Sequence, residues 1–250
     1  MVRTLASKMK PVSGFSHFIH LLLTALLPIL VFVFVRIHLV SLALTIILLS
    51  KWRMFAVKPR HWPANVRANA TDIIVGVSFL VFMTASGTQA FQMLWTFLYG
   101  VWLVLIKPRS GQLAVSLQAA IGQLMGLVAL FLRFGDSPFW ILTGLAWVVC
   151  YSVARHFFTS FDEPLTRFLS YVWGYFAAAL TWVLAHWLLF YGQIAQPTLL
   201  LSVIGFSLAG LYYLQKTDRL SLLYRRQIIF VMIAVIVIVL VFSDWGDKAI

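Results

Sequence analysis

The longest polar interruption in this chain is the stretch Lys51 to Arg67, which carries five cations and no acid. Everything else between Phe15 and Phe242 reads as apolar runs separated by short turns. The hydrocarbon core of a bilayer, about 30 Å thick, offers backbone amides no water, so apolar runs of about 20 residues cross it as helices. The fold class that follows is all-α: a polytopic integral membrane helical bundle. Composition agrees, at 62% hydrophobic and 10% charged, against about half and a quarter in soluble domains. Residues 1–250 are then a single transmembrane domain, because short turns and about nine spans leave no room for a soluble module.

Nine segments are expected: Phe15–Val35, Ile37–Leu49, Ala70–Ser86, Phe91–Ile106, Leu113–Leu132, Phe139–Ala154, Phe168–Tyr191, Thr198–Leu214 and Ile228–Phe242. Pro28 interrupts the first, and only Arg36 and His38 separate it from the second. That pair reads either as two full spans or as a re-entrant hairpin, and both return Lys51 to the side of Met1. Met1 to Lys10 is a basic flank, but the apolar run after it is too long for a cleaved leader, so the first span is retained. Residues 215–227 read as a short amphipathic piece lying on the surface.

Short cytoplasmic loops collect Lys and Arg, which orients the bundle with the N-terminus in and the C-terminus out. On that threading sixteen of the nineteen basic residues and four of the seven acids share the side of Met1. Three of each sign remain on the other side, so the whole net charge of +12 falls on one face. The expected location is the cytoplasmic (inner) membrane of a bacterium. Expected partners are the lipid bilayer, anionic headgroups and other membrane proteins, with Lys51, Arg53, Lys58, Arg60, Arg67, Arg225 and Arg226 facing headgroups or a cytoplasmic protein. The positive charge is thus explained by topology and not by nucleic acid.

A single cysteine, Cys150, excludes an intrachain disulfide and a cysteine metal cluster. No P-loop, H-E-x2-H or G-x-S-x-G motif is present, and no cofactor is expected. His17 and His20, three apart on one face, are the lesser candidates for a metal and are read as interfacial histidines, so no metal site is expected. Asp72 is expected in the first turn of the third span, with Arg67 as counter-ion and a proton or cation site as the alternative. Gln118 and Gln123 place amides along the fifth span, either bonding across to another helix or lining a substrate path. Gly122 and Gly126 form a small-x3-small pair that suits close helix packing. His186 is expected deep in the seventh span, where an ionisable group suggests function.

Asp162-Glu-Pro-Leu-Thr-Arg167 resembles the Glu-Glu-x3-Arg motif of the CPBP family of intramembrane glutamate proteases, and Trp182-Val-Leu-Ala-His186 resembles that family's Phe-x3-His motif. The resemblance implies Glu163 activating water and His186 stabilising the oxyanion. It covers about 25 residues, with Asp for the first Glu, Trp for Phe and no later histidine for a third motif. The other reading of Asp162 and Glu163 is ion pairing and helix capping between Arg155 and Arg167. Three functions are therefore carried forward. The first is a non-catalytic binding or assembly subunit of a membrane complex. The second is a small-solute transporter or channel using Gln118, Gln123, His186 and Asp72, and the third is the protease.

Overall fold

The computed structural model describes residues 15–186, 190–191 and 194–243, and their side chains except those of 15–21, 53 and 190–191. The expectations for Met1 to Lys10 and for the chain after Ser243 lie outside these residues. So do the side chains of His17, His20 and Arg53.

Helices α1 (Phe15–Arg36), α2 (Val40–Leu49), α3 (Trp62–Ala85) and α4 (Gln89–Val101) form the first half. Helices α5 (Gln112–Phe134), α6 (Phe139–Thr159), α7 (Thr166–Ala185), α8 (Gln196–Lys216) and α9 (Leu222–Phe242) form the second. Among the described residues seven helical segments are long and apolar enough to cross a membrane: α3, α4 together with its continuation to Ile106, and α5 to α9. At 10 residues α2 is about 15 Å long, half a hydrocarbon core. Helix α1 runs unbroken through Pro28, so the expected interruption does not occur.

Helix ends depart from the apolar runs for local reasons. Pro63 sits in the first turn of α3, where its missing N–H costs nothing, and the helix starts at Trp62, eight residues before the apolar run. Helix α6 continues to Thr159, so Arg155 and His156 are helical rather than in a loop. Helix α7 stops at Ala185 and the chain turns through a two-stranded hairpin, Phe190–Tyr191 (β1) pairing with Ile194–Ala195 (β2). The expected surface piece at 215–227 is absent: α8 ends at Lys216, and α9 starts at Leu222 with the Ser221 hydroxyl accepting from the Tyr224 amide at 3.2 Å.

Three helices end on a left-handed residue other than glycine: His38 (φ 59°), Asp162 (φ 51°) and Asp218 (φ 54°). After α1 and α8 the following amide reaches back across the last turn, Leu39 N to Phe34 O at 2.8 Å and Arg219 N to Leu214 O at 2.9 Å.

The core has two large clusters and two small ones, the small ones around Phe157 and around Leu200. One large cluster joins α1 to α5 around Val31, Ile47, Val75, Met83 and Tyr99; the other joins α5 to α8 around Leu127, Leu142, Cys150, Ala177 and Leu201. Glycines in α5 let it contact α3 and α6 closely. A methyl on Gly122 would lie 2.7 Å from Thr71 Cγ2, and one on Gly126 would lie 2.7 Å from Ile74 Cγ2 and 2.9 Å from Val149 Cγ1. The small-x3-small pair is thus occupied within the chain. Helix α9 is the outlier, with Phe230 73% and Phe242 70% exposed.

Candidate functional site

The turns α2–α3, α4–α5, α6–α7 and α8–α9 lie at one end of the bundle, tied together by polar side chains. At their centre Asp72 is 9% exposed, ten residues into α3 and not in its first turn. Its Oδ2 meets the ammonium groups of Lys51 and of Lys107, the latter at 2.7 Å. Its Oδ1 accepts the indole N–H of Trp102 at 2.9 Å. Arg67, the expected counter-ion, instead donates to the Pro63 carbonyl at 2.9 Å, one turn away on the exposed side.

Backbone geometry explains how Trp102 and Lys107 reach one carboxylate. In an α-helix of 3.6 residues per turn, residues five apart point to different faces. Here α4 continues as a wide π turn over Trp102–Ile106, closed by Lys107 N to Trp102 O at 2.8 Å. The extra residue per turn swings both side chains back toward α3. Lys51 arrives because α2 is short and the chain beyond it runs beside α3. Trp62 Nε1 donates to Phe55 O and Val57 O, and Asn65 Nδ2 donates to Met54 O.

Gln118 extends the network. Its amide nitrogen donates to Ile106 O and Arg109 O, both at 2.8 Å, covering the Arg109 carbonyl and adding to the bond that Ile106 O already takes from Arg109 N. Its Oε1 lies 3.0 Å from His156 Nε2. An amide oxygen only accepts, so His156 carries its proton on Nε2. Deeper in α5, Gln123 donates to Leu201 O at 2.8 Å and accepts from Trp173 Nε1 at 3.0 Å, linking α5, α7 and α8. The two amides expected on the fifth span therefore make contacts between helices.

At the α6–α7 turn, Glu163 Oε2 accepts from the Tyr212 hydroxyl and pairs with Lys216 Nζ at 2.9 Å. The Tyr212 bond, then the Lys216 ammonium, hold the carboxyl below its ordinary value. Tyr212 in turn packs edge-on against Phe157, Phe158 and Phe161.

Several expected site residues stand elsewhere. His186 is exposed at the end of α7, where Nδ1 lies 2.7 Å from Trp182 O and the ring stacks on Phe139. It was expected deep in a span because the apolar residues after it suggest a helix that in fact stops at Ala185. Glu163 and His186 flank the 20 residues of α7, about 30 Å apart, so they cannot hold one water between them. The structure therefore does not bring together the two residues that the protease resemblance implies. Lys51, expected among the surface cations, is 7% exposed and bound to Asp72, whereas Lys58, Arg60, Arg67, Arg225 and Arg226 remain exposed. Among the described residues no group of three His, Cys, Asp or Glu could hold a metal. Trp102, Lys107, His156, Tyr212 and Lys216 are partners that sequence reasoning missed. Only the five-residue spacing of Trp102 and Lys107 offered a signal, and it needs the π turn to be read.

As chemistry, the Asp72 cluster is a closed electrostatic clasp. Two ammonium groups and an indole saturate both carboxylate oxygens, and the excess of one positive charge is relieved by Lys107, whose side chain is 38% exposed and reaches the surface. No family model, curated protein or solved structure matches this chain.

Proposed function

We propose that this chain is a non-catalytic binding or assembly subunit of a membrane complex. It crosses the membrane nine times, the second crossing being made by α2 with the segment that follows it. The N-terminus and the basic end lie in the cytoplasm, the C-terminus lies outside, and the membrane is a bacterial inner membrane. Exposed Lys58, Arg60, Arg67, Arg225 and Arg226 meet anionic headgroups or a cytoplasmic protein.

The observation that carries this reading is the use made of the buried polar groups. Asp72, Gln118 and Gln123, the side chains a conduit would need, are consumed by bonds to other helices of the same chain. Helix α9 is the complement: strongly apolar, touching mainly α8, and exposed along most of its length. A partner helix has free access to it. A photo-crosslinker at Phe230 or Val241 is expected to trap one discrete companion in stoichiometric yield in cells, and one at Leu23 on α1 none. Uniform labelling of lipid from all three positions would overturn the reading.

A transporter or channel is the second reading, favoured by one observation. The hydroxyls of Thr181, Thr198 and Ser202 and Oε1 of Gln196 are buried at the α7 and α8 ends without a bond. Several serines and threonines elsewhere in the bundle, such as Ser78, Thr96 and Ser170, bond the carbonyl four residues back, while the isolated hydroxyls of Thr71 and Thr143 also go without a bond. Solute flux in proteoliposomes that falls on Thr198→Val would favour it.

A further inference from the structure

Helices α8 and α9 form a wedge. At one end they are closed: Val239 packs against Leu200 and Leu184, and Gln196 Nε2 donates to the Ser243 hydroxyl at 3.2 Å. Toward the basic end they part, and residues Leu222 to Gln227 are all exposed. The opening is a cavity of about 460 Å³ lined by Leu211, Gln215, Asp218, Leu220 and Arg225. Two of its walls carry charges of opposite sign. Asp218 is held there by its left-handed backbone at the end of α8, and Arg225 stands in the first turn of α9. Among the described residues the two make no ion pair with each other or with any other group. A tether of only a few residues between the helices keeps both charges at the mouth of the wedge, and the exposed apolar flank of α9 leads away from it.

We propose that this wedge binds one phospholipid with a phosphate and a primary ammonium in its headgroup, of the phosphatidylethanolamine type. The guanidinium of Arg225 takes the phosphate as a forked donor, and the Asp218 carboxylate accepts from the ammonium. The acyl chains lie along α9, beside Phe230 and Val231. Opposite charges that face one cavity without meeting match a dipolar ligand. The surrounding cations Arg219 and Arg226 taken alone would select an anionic headgroup, so the two possibilities make opposite predictions. A choline headgroup satisfies the charges but has no N–H for Asp218 and binds less well. The inference needs only that α8 and α9 lie in a membrane, and it stands or falls apart from the assembly reading.

The test is native mass spectrometry of the full chain in mild detergent, with equimolar dioleoyl phosphatidylethanolamine and phosphatidylglycerol. One bound ethanolamine lipid is expected to survive preferentially, by about two- to five-fold, the range of one exposed ion pair. Asp218→Asn should abolish that preference or turn it toward phosphatidylglycerol, and Arg225→Gln should weaken both lipids. Both residues are exposed, so both variants should fold, and Arg36→Gln, at the exposed end of α1 on the opposite face, serves as the control without effect. The proposal is overturned by equal retention of the two lipids in the unaltered protein, or by unchanged selectivity in Asp218→Asn. It is overturned equally if glycerophosphoethanolamine, which lacks acyl chains, displaces the lipid at the same concentration.

Discussion

Asp72 and Trp102, thirty residues apart on different helices, share a hydrogen bond of 2.9 Å that forms only because the helix carrying Trp102 widens by one residue at that point. The bond fixes α4 to α3 at the depth where two lysines also converge on the same carboxylate. Removing the carboxylate charge strands Lys51, which is almost completely buried. Asp72→Asn is therefore expected to cost about 3 kcal/mol or more, the range for breaking one side of a buried pair. The double variant Lys51→Met with Asp72→Asn should recover much of that loss, since Lys107 can turn to solvent. Thermal unfolding in detergent reads both, and strict additivity of the two changes would refute the clasp.

Glycines divide into those that need to be glycine and those that do not. Gly122→Ala and Gly126→Ala place a methyl against Thr71, Ile74 and Val149 and should each destabilise by about 1–3 kcal/mol through overpacking. Gly144 and Gly210 have open space around the same position. Alanine there should leave stability unchanged or raise it by up to about 1 kcal/mol, the difference in helix propensity. A set of four unfolding curves checks the ordering.

How far such relationships can be read in advance differs between elements. Apolar runs announce the helices because hydrocarbon forces each run to satisfy its own backbone. They do not announce the ends. Trp62 to Asn69 is polar yet helical, since Pro63 starts a helix as well at the interface as elsewhere, and this put Asp72 in a first turn it does not occupy. Trp187 to Tyr191 is apolar, yet α7 has already stopped at Ala185. The amides of Gln118 and Gln123 were recognisable as contacts between helices, because an amide in a bilayer must find a partner. Their actual partners were hidden, being carbonyls at a helix end 12 residues back and at Leu201, 78 residues on.

His186 and Gln118 exchange importance relative to the sequence reading, and a pair of substitutions tests this. Gln118→Leu leaves the Arg109 carbonyl and the His156 N–H without their side-chain partner and removes one of the two bonds to the Ile106 carbonyl, and should cost about 2 kcal/mol. His186→Ala at the exposed end of α7 should cost less than about 1 kcal/mol. Equal costs in an unfolding experiment would contradict the assignment.

Acid should release the α6–α7 turn from α8. The carboxyl of Glu163 is held below its ordinary value first by Tyr212 and then by Lys216, so the folded state binds its proton less readily than the unfolded chain. Its contribution to stability is accordingly complete above the unfolded value of about 4.3 and is lost as pH falls through the lower folded value. Glu163→Gln should abolish that part of the pH dependence while leaving the behaviour above pH 5 flat. Amide hydrogen exchange at Phe161 to Leu165, followed from pH 6 to 3, reports the release, and identical profiles in the two proteins would argue against it.

The left-handed residue at the end of α6 sets a last expectation, because backbone strain and side-chain chemistry separate cleanly there. Asp162 holds φ at 51°, a conformation that costs most side chains about 1 kcal/mol and glycine nothing. Its neighbour Glu163, not Asp162, makes the bonds to α8. Asp162→Gly should therefore stabilise the protein by a few tenths to about 1 kcal/mol, and Asp162→Asn should be neutral. Asp162→Val should destabilise, because a β-branched side chain fits that region worst. The ordering Gly, then Asn, then Val in midpoint temperature checks the argument. A loss in Asp162→Gly as large as that of Glu163→Gln would mean that the Asp162 carboxylate, and not its backbone, holds the turn.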